Sequence, residues 1–218
     1  MTMNLNEIYD KKVNHKRVRR LMRENGIYSV IRKKRKSYIK TTQLHVSDNI
    51  LDRNFKADKP NEKWLTDVTE LKYGNCQKAY LSAIMDLYDN SIVAYNLSTK
   101  NNNPLVIENL DLAIAKNSGS TPLLHSDRGF QYTSNEFNKK IKKYKMIHSM
   151  SEVGRCLDNA PMEGFFGILK SERYHLKKYS NYEELKNDIE DYINFYNNER
   201  LQKRLGRKSP NDYRKIIK

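Results

Sequence analysis

From Trp64 onward, apolar and polar side chains alternate in three runs, WLTDVTEL, AYLSAIMDL and SIVAYNLS, separated by Gly74-Asn75 and Asp89-Asn90. Alternation with period two, broken at turn-forming residues, predicts three strands in an antiparallel meander. The period then changes. Asn103-Pro104 makes a capped start for a segment with Val106, Leu110, Ala113 and Ile114 on one helical face, and Asn117-Ser118-Gly119 ends it. TPLLHSD reads as a short buried strand. Thr133 and Glu136 form a capping box for a helix that turns Phe137, Ile141 and Tyr144 inward and five lysines between 139 and 145 outward. MIHSMS predicts a last strand, and two helices close the chain, from about 159 to 173 and from about 182 to 200. The second carries Leu185, Ile189, Tyr192 and Tyr196 on one face. This order predicts an α/β domain with a mixed five-stranded sheet flanked by helices.

Upstream of Trp64 the apolar pattern thins and charge takes over. The whole chain has 218 residues with 41 Lys plus Arg against 26 Asp plus Glu, a formal charge of +15. Residues 1–50 hold 13 of the basic and only 4 of the acidic side chains, in clusters such as KKVNHKRVRR and RKKRK. So one-sided a segment fits a polyanion such as DNA. Within it Asn14 caps a short helix whose Val18, Leu21 and Met22 share one face, ringed by Arg17, Arg19, Arg20 and Arg23, with Gly26 as the stop. We read residues 1–44 as a basic helical DNA-binding segment, a helix-turn-helix shortened at its start. Residues 45–62 form a linker or lead-in, and 63–218 form the larger domain. No run approaches the roughly 20 apolar residues of a membrane span, so a soluble, intracellular protein without a membrane partner is expected. Cys76 and Cys156 are too few for a disulfide framework or a four-cysteine zinc site.

Three acids stand out by position. Asp67 lies inside a strand with the parity of Leu65 and Thr69, where an unpaired carboxylate costs several kcal/mol unless neutralised or bound to a cation. Asp127 ends the LLHSD strand, where open α/β sheets place their ligands. Glu163 sits near the start of a helix that begins at Asp158-Asn159. Singly, Asp127 could be a turn residue and Glu163 could serve the helix dipole. Lys170 adds specificity, because seven residues along a helix it lies about 20° from Glu163. Carboxylates that gather hard divalent cations beside a phosphate-holding lysine are the parts of two-metal phosphoryl transfer. Asp86 and Glu172 read as structural acids. His125-Ser126-Asp127 is no hydrolase relay, since neighbours on a strand point to opposite faces. Gly164 and Gly167 leave room for DNA or for a packed helix.

These blocks carry a resemblance. WLTDVT around Asp67, HSDRGFQYTS around Asp127 and SEVGRCLDNAPMEGFFGILKSE around Glu163, with 35 residues between the last two acids, resemble the integrase catalytic core of insertion-sequence transposases, relatives of retroviral integrase. NILDRNFKADKPNEKW and FYNNERLQKRLGRKSP look like the flanks of the second reading frame product of such elements, and VNHKRVRRLMRENGI resembles the end of their helix-turn-helix region. Gln202 stands where the family commonly has His. The resemblance implies a ribonuclease-H-like fold and a transposase that cuts and joins DNA with Asp67, Asp127 and Glu163 holding Mg²⁺, or Mn²⁺ in its place. Arg128, Arg155 and Lys170 are our candidate phosphate contacts, beside the arginines at 17, 19, 20 and 23. The resemblance further implies a homo-oligomer on element ends and target DNA, an upstream-frame DNA-binding protein or fusion segment as partner, and a bacterial cytoplasmic, nucleoid-associated location. The residues alone leave open a nuclease of this fold that only hydrolyses, or a DNA-binding remnant without activity.

Overall fold

Trp64 and Leu65 are both fully buried. Because consecutive strand residues point to opposite faces, their strand must be covered on both sides. The computed structural model, which describes residues 1–28, 46–152 and 156–216, supplies the two covers. Strands β1 (Lys63–Tyr73), β2 (Gln77–Asp86) and β3 (Ile92–Ser98) form the antiparallel meander, and β4 (Leu123–Ser126) and β5 (Ile147–Met150) run parallel to β1. The sheet order is β3-β2-β1-β4-β5. Helices α1 (Thr2–Glu7) and α2 (His15–Glu24) precede the sheet, α3 (Asn103–Lys116) crosses from β3 to β4, and α4 (Asn135–Lys143) crosses from β4 to β5. Under α3 and α4, Trp64, Ile84 and Leu124 pack with Leu110, Phe137 and Met150. On the other face, Leu65, Leu81 and Met85 pack with Phe165 and Leu169 of α5 (Ala160–Glu172) and Leu185, Ile189 and Tyr192 of α6 (Tyr182–Asn198). This is the mixed α/β architecture that the periodicities imply.

The local signals place two helix starts one residue away from where they occur. Asn102, not Asn103, accepts from the backbone of α3, at Leu105 N. The capping box at Thr133 is likewise corrected: Ser134 Oγ accepts from Phe137 N, while Thr133 Oγ1 donates to the carbonyls of Gly129 and Phe130. At the N-terminus Asn14 caps α2 as expected, through Lys16 N at 2.9 Å, and Gly26 beyond its end takes φ +67°. Val18 is buried, but Leu21 is exposed. Helix α1 precedes α2, a helix that no periodicity of the sequence predicts, and Asn6 ties it to Val13 through two hydrogen bonds.

Residues 46–62 are packed rather than loose. Met150 N donates to Asp48 O and Leu51 N donates to Ser149 Oγ, so this segment covers the outer side of edge strand β5. A covered edge offers no template for pairing with another chain. Among the described residues no helix is long and apolar enough to cross a membrane.

The far edge is held by charge. Asp86 and Asp89 are fully buried at the β2–β3 turn, and the Arg214 guanidinium of α7 (Pro210–Ile216) bonds to both. Backbone amides of Asn61 and Tyr88 complete Asp86, and that of Ser91 serves Asp89. Glu172 is likewise structural, paired with Arg200 and accepting from Tyr192. Burial pushes the Asp86 carboxyl above its ordinary range, with the two amides and Arg214 opposing it. Its contribution to stability is therefore present at low pH and lost as pH rises through the raised value. Removing Arg214 raises that value further, so the Arg214→Ala penalty should be largest at neutral pH and shrink on acidification. Stripping one partner from a buried ion pair costs about 3–5 kcal/mol. Urea denaturation at neutral and mildly acidic pH checks this, and a loss below about 1 kcal/mol at neutral pH would contradict it.

Candidate active site

The parallel register of β1 and β4 pairs Lys63 with Leu123, Trp64 with Leu124 and Leu65 with His125, a constant offset of 60. Continued two residues further, that offset sets Asp67 beside Asp127. Neighbouring strands lie about 5 Å apart. Leu65 and Asp67 share a face, as do His125 and Asp127, and that face is the one covered by α5. The two carboxylates also act together on one group. Tyr132 is buried at the sheet, its phenol raised well above its ordinary value by burial first and then by the negative charges of Asp67 and Asp127. Thr66 Oγ1 donates to Ala83 O, so at 3.1 Å it receives the Tyr132 hydroxyl proton. This bond fixes the loop after Asp127 to the strand that carries Asp67.

Helix α5 is pinned to β1 at two points. Asn159 Nδ2 donates to Thr66 O at 3.2 Å, and Lys170 Nζ donates to Thr69 Oγ1 at 2.7 Å and Glu70 O at 2.8 Å. Asn159, Glu163 and Lys170 lie within about 40° of one another around the helix. Glu163, on the stripe bonded to β1 at both ends, is thus level with the region of Asp67. It is exposed. Lys170 is not displayed for a phosphate alone; its ammonium holds α5 in place. A Cβ at Gly164 would meet nothing within 4 Å, so intramolecular crowding does not explain that glycine.

Around Asp127 the chain is tight. Gly129 N donates to Asp127 Oδ1 at 2.8 Å, and a Cβ at Gly129 would meet that oxygen at 2.9 Å and Gln131 Oε1 at 3.2 Å. Sequence reasoning missed this glycine, although an Asp whose side chain bonds the backbone two residues on is a known turn signal. Asn159 marks no more than a helix start in the sequence, which gives no sign of its bond to Thr66. His125 is buried, flanked by Ser149 Oγ at 2.9 Å and Ser151 Oγ at 3.1 Å, and burial lowers its imidazole to about 4. It is neutral at neutral pH. Ser126 Oγ turns instead to Asp127 O and His148 Nε2, so no hydrolase relay forms. Arg128 Nε donates to Ser151 O at 2.7 Å. Arg155 lies outside the described residues. Arg17, Arg19, Arg20 and Arg23 are all exposed on α2.

The donor chemistry of the paired aspartates suits a hard divalent cation, which takes oxygen ligands and carboxylates above all. Among the described residues no three His, Cys, Asp or Glu side chains converge tightly enough to hold an ion. Although Asp127 is open to solvent, the protein around its carboxyl disfavours the charged form and raises it above the ordinary range, with the Gly129 amide opposing. A raised carboxyl favours the fold at low pH and loses that contribution as pH rises through the folded value. Asp127→Asn should therefore raise the thermal midpoint in cation-free buffer at neutral pH, and the gain should vanish under acid. Calorimetric scans across pH check this, and a neutral-pH loss would contradict it.

Residues 57–156 match the integrase core domain, residues 163–216 match a second model of that domain, and residues 1–35 match an HTH-like domain. An uncharacterized transposase-like protein of Haemophilus influenzae is 40% identical over 214 residues, 98% of this chain and 98% of that protein. The putative transposase InsK of insertion sequence element IS150 from Escherichia coli is 42% identical over 205 residues, 94% of this chain and 72% of that one. Among solved structures, the HTLV-2 integrase catalytic core domain in complex with magnesium, in its trimeric form, superposes with a TM-score of 0.59 at 23% identity, covering 73% of this chain and 99% of that one. That likeness carries the fold, a ribonuclease-H-like sheet. With its two core matches and relatives 40% and 42% identical over most of its length, the chain belongs to the insertion-sequence transposases with an integrase core, proteins of DNA transposition and integration.

Proposed function

We propose that this chain cuts and joins DNA phosphodiesters, with Asp67, Asp127 and Glu163 as the residues that hold Mg²⁺, or Mn²⁺ in its place. The observation that carries the reading is the β1–β4 register, whose offset of 60, continued past the paired residues, sets Asp67 within β1 beside Asp127 just past the carboxyl end of β4. Two bound cations would activate a water or 3′-hydroxyl and stabilise the leaving oxygen during in-line displacement. The chain's own groups do the remaining work. Gly129 fixes one Asp127 oxygen, and Asn159 and Lys170 fix the helix that carries Glu163. Lys170 also keeps a positive charge beside the site where a phosphate must lie. Arg128 uses one donor on Ser151 and has four more for a phosphate. Arg155 is assigned the same role from the sequence.

In this reading residues 1–44 grip DNA, 45–62 lead in and 63–218 perform the chemistry. Cutting two element ends and joining both to a target calls for more than one site, so several copies assemble on the DNA, with an upstream-frame segment as a further partner. The setting is the bacterial cytoplasm, on nucleoid DNA.

Changing residues around a metal's direct ligands already costs about 10–100-fold in affinity or activity, so losing a ligand should cost more. Asp67→Asn, Asp127→Asn and Glu163→Gln should each lower cutting and joining of element-end duplexes by more than about 100-fold, with DNA affinity kept. Parent-rate joining by Asp127→Asn would overturn the assignment. Replacing Arg17, Arg19, Arg20 and Arg23 with Ala should lower the slope of log K against log salt by about 0.9 for each phosphate no longer neutralised, without moving the thermal midpoint. An unchanged slope would remove α2 from the DNA interface.

A further inference from the structure

The two helical layers of the sheet carry opposite charge. On one side α6 presents Glu183, Glu184, Glu190 and Asp191, while its buried Asp188 is paired with Arg173 and Lys177. On the other side the stretch from Arg128 to Ser151 contains six basic residues and one acid, Glu136. Lys140 is neutralised by Asp111 at 2.7 Å. Lys139, Lys142, Lys143 and Lys145 are exposed and form no ion pair among the described residues. The first three follow helical spacing i, i+3, i+4 and so line one stripe, with Asn135 and Asn138 sharing a shallow cleft with Lys139 and Lys142. Like charges at this spacing repel one another, a cost only partly offset by Asp111 and the Tyr144 ring near Lys143.

The stripe is rigidly joined to the candidate active site. Helix α4 starts eight residues after Asp127, and the connection between them is buried at Gln131, Tyr132, Thr133 and Ser134. Tyr132 also bonds Thr66, the neighbour of Asp67. From Lys139 to Lys143 the stripe runs about 6 Å at 1.5 Å per residue, and Lys145 follows just beyond the helix end. Phosphates on one DNA strand advance about 3.4 Å each, so the stripe spans roughly two of them.

We propose that the α4 lysine face holds the phosphate backbone of the target duplex during strand transfer. The inference rests on the strand-transfer reading above. Lysine ammoniums are point charges, and phosphate contacts carry no sequence information. Such a surface suits a duplex taken without regard to sequence, whereas element ends must be recognised by sequence.

The test uses the full chain with Lys139, Lys142, Lys143 and Lys145 all changed to Gln, and a sequence-unrelated duplex as the probe. The salt slope of binding to that duplex should fall by about 1.8, or 0.9 for each of roughly two phosphates. Transfer of a pre-cut element end into the duplex should fall about tenfold at moderate salt, while cutting at element ends stays at the parent rate. Arg at the same four positions should restore transfer. An unchanged slope would make the stripe a solvated face and overturn the proposal. A matching loss in binding and cutting of element ends would assign the surface to end DNA instead, overturning the target assignment. Should the parent chain neither cut nor join, the strand-transfer reading fails by itself, and the salt slope alone decides whether this face holds duplex DNA.

Discussion

Parallel pairing between β1 and β4 is the constraint on which the candidate site depends, because side chains alternate faces and a slip of one residue would turn Asp127 away from Asp67. Several contacts make such a slip costly. Trp64 and Leu124 are locked in one core, Leu65 and His125 face the other, and all four are fully buried. The hydrophobic requirement of the two faces thereby aligns two charged residues that gain nothing from each other. Tyr132 bears the cost of this arrangement: burial first, and then the negative charges of Asp67 and Asp127, raise its phenol, while the protein around Asp127 raises that carboxyl. A cation would relieve that cost, which ties the arrangement to chemistry rather than to stability.

The third acid depends on a longer chain of support. Residues 156–159 form a turn before α5, and Asp158 there is buried and receives Arg53, Asn49 and the amide of Glu152. Those bonds, led by Arg53, hold its carboxyl below the ordinary range against the opposing effect of burial. The lead-in thus does two jobs, covering the edge of β5 through Asp48 and Leu51 and anchoring the entry to α5 through Asn49 and Arg53. Together with the Asn159 and Lys170 bonds to β1, this sets where Glu163 can stand.

Much of this was legible in the residues themselves. The switch from period two to period 3.6 separates the meander from the crossover helices, and the parity of Asp67 with Leu65 places its side chain on the α5 face. What the sequence hid was tertiary. Lys170 looks from helical geometry like a free phosphate contact, and only the fold brings Thr69 and Glu70, about 100 positions earlier, within reach of its ammonium. Asn159 looks like a cap until Thr66 O claims its amide. Thr133 and Ser134 are both cap-forming residues, and the choice between them turned on Gly129 and Phe130 offering carbonyls to Thr133. Helix α1 has six residues, none of them buried, so no apolar period announces it.

The central claim is that the β1–β4 register makes a cation site from Asp67 and Asp127. Crystals of the full chain grown with Mn²⁺, with anomalous scattering measured at the manganese edge, test it most directly. The account expects a manganese peak in contact with carboxylate oxygens of both Asp67 and Asp127, at the roughly 2.0–2.3 Å of hard-cation coordination. Manganese bound elsewhere, with both carboxylates left unligated at saturating concentration, would contradict it.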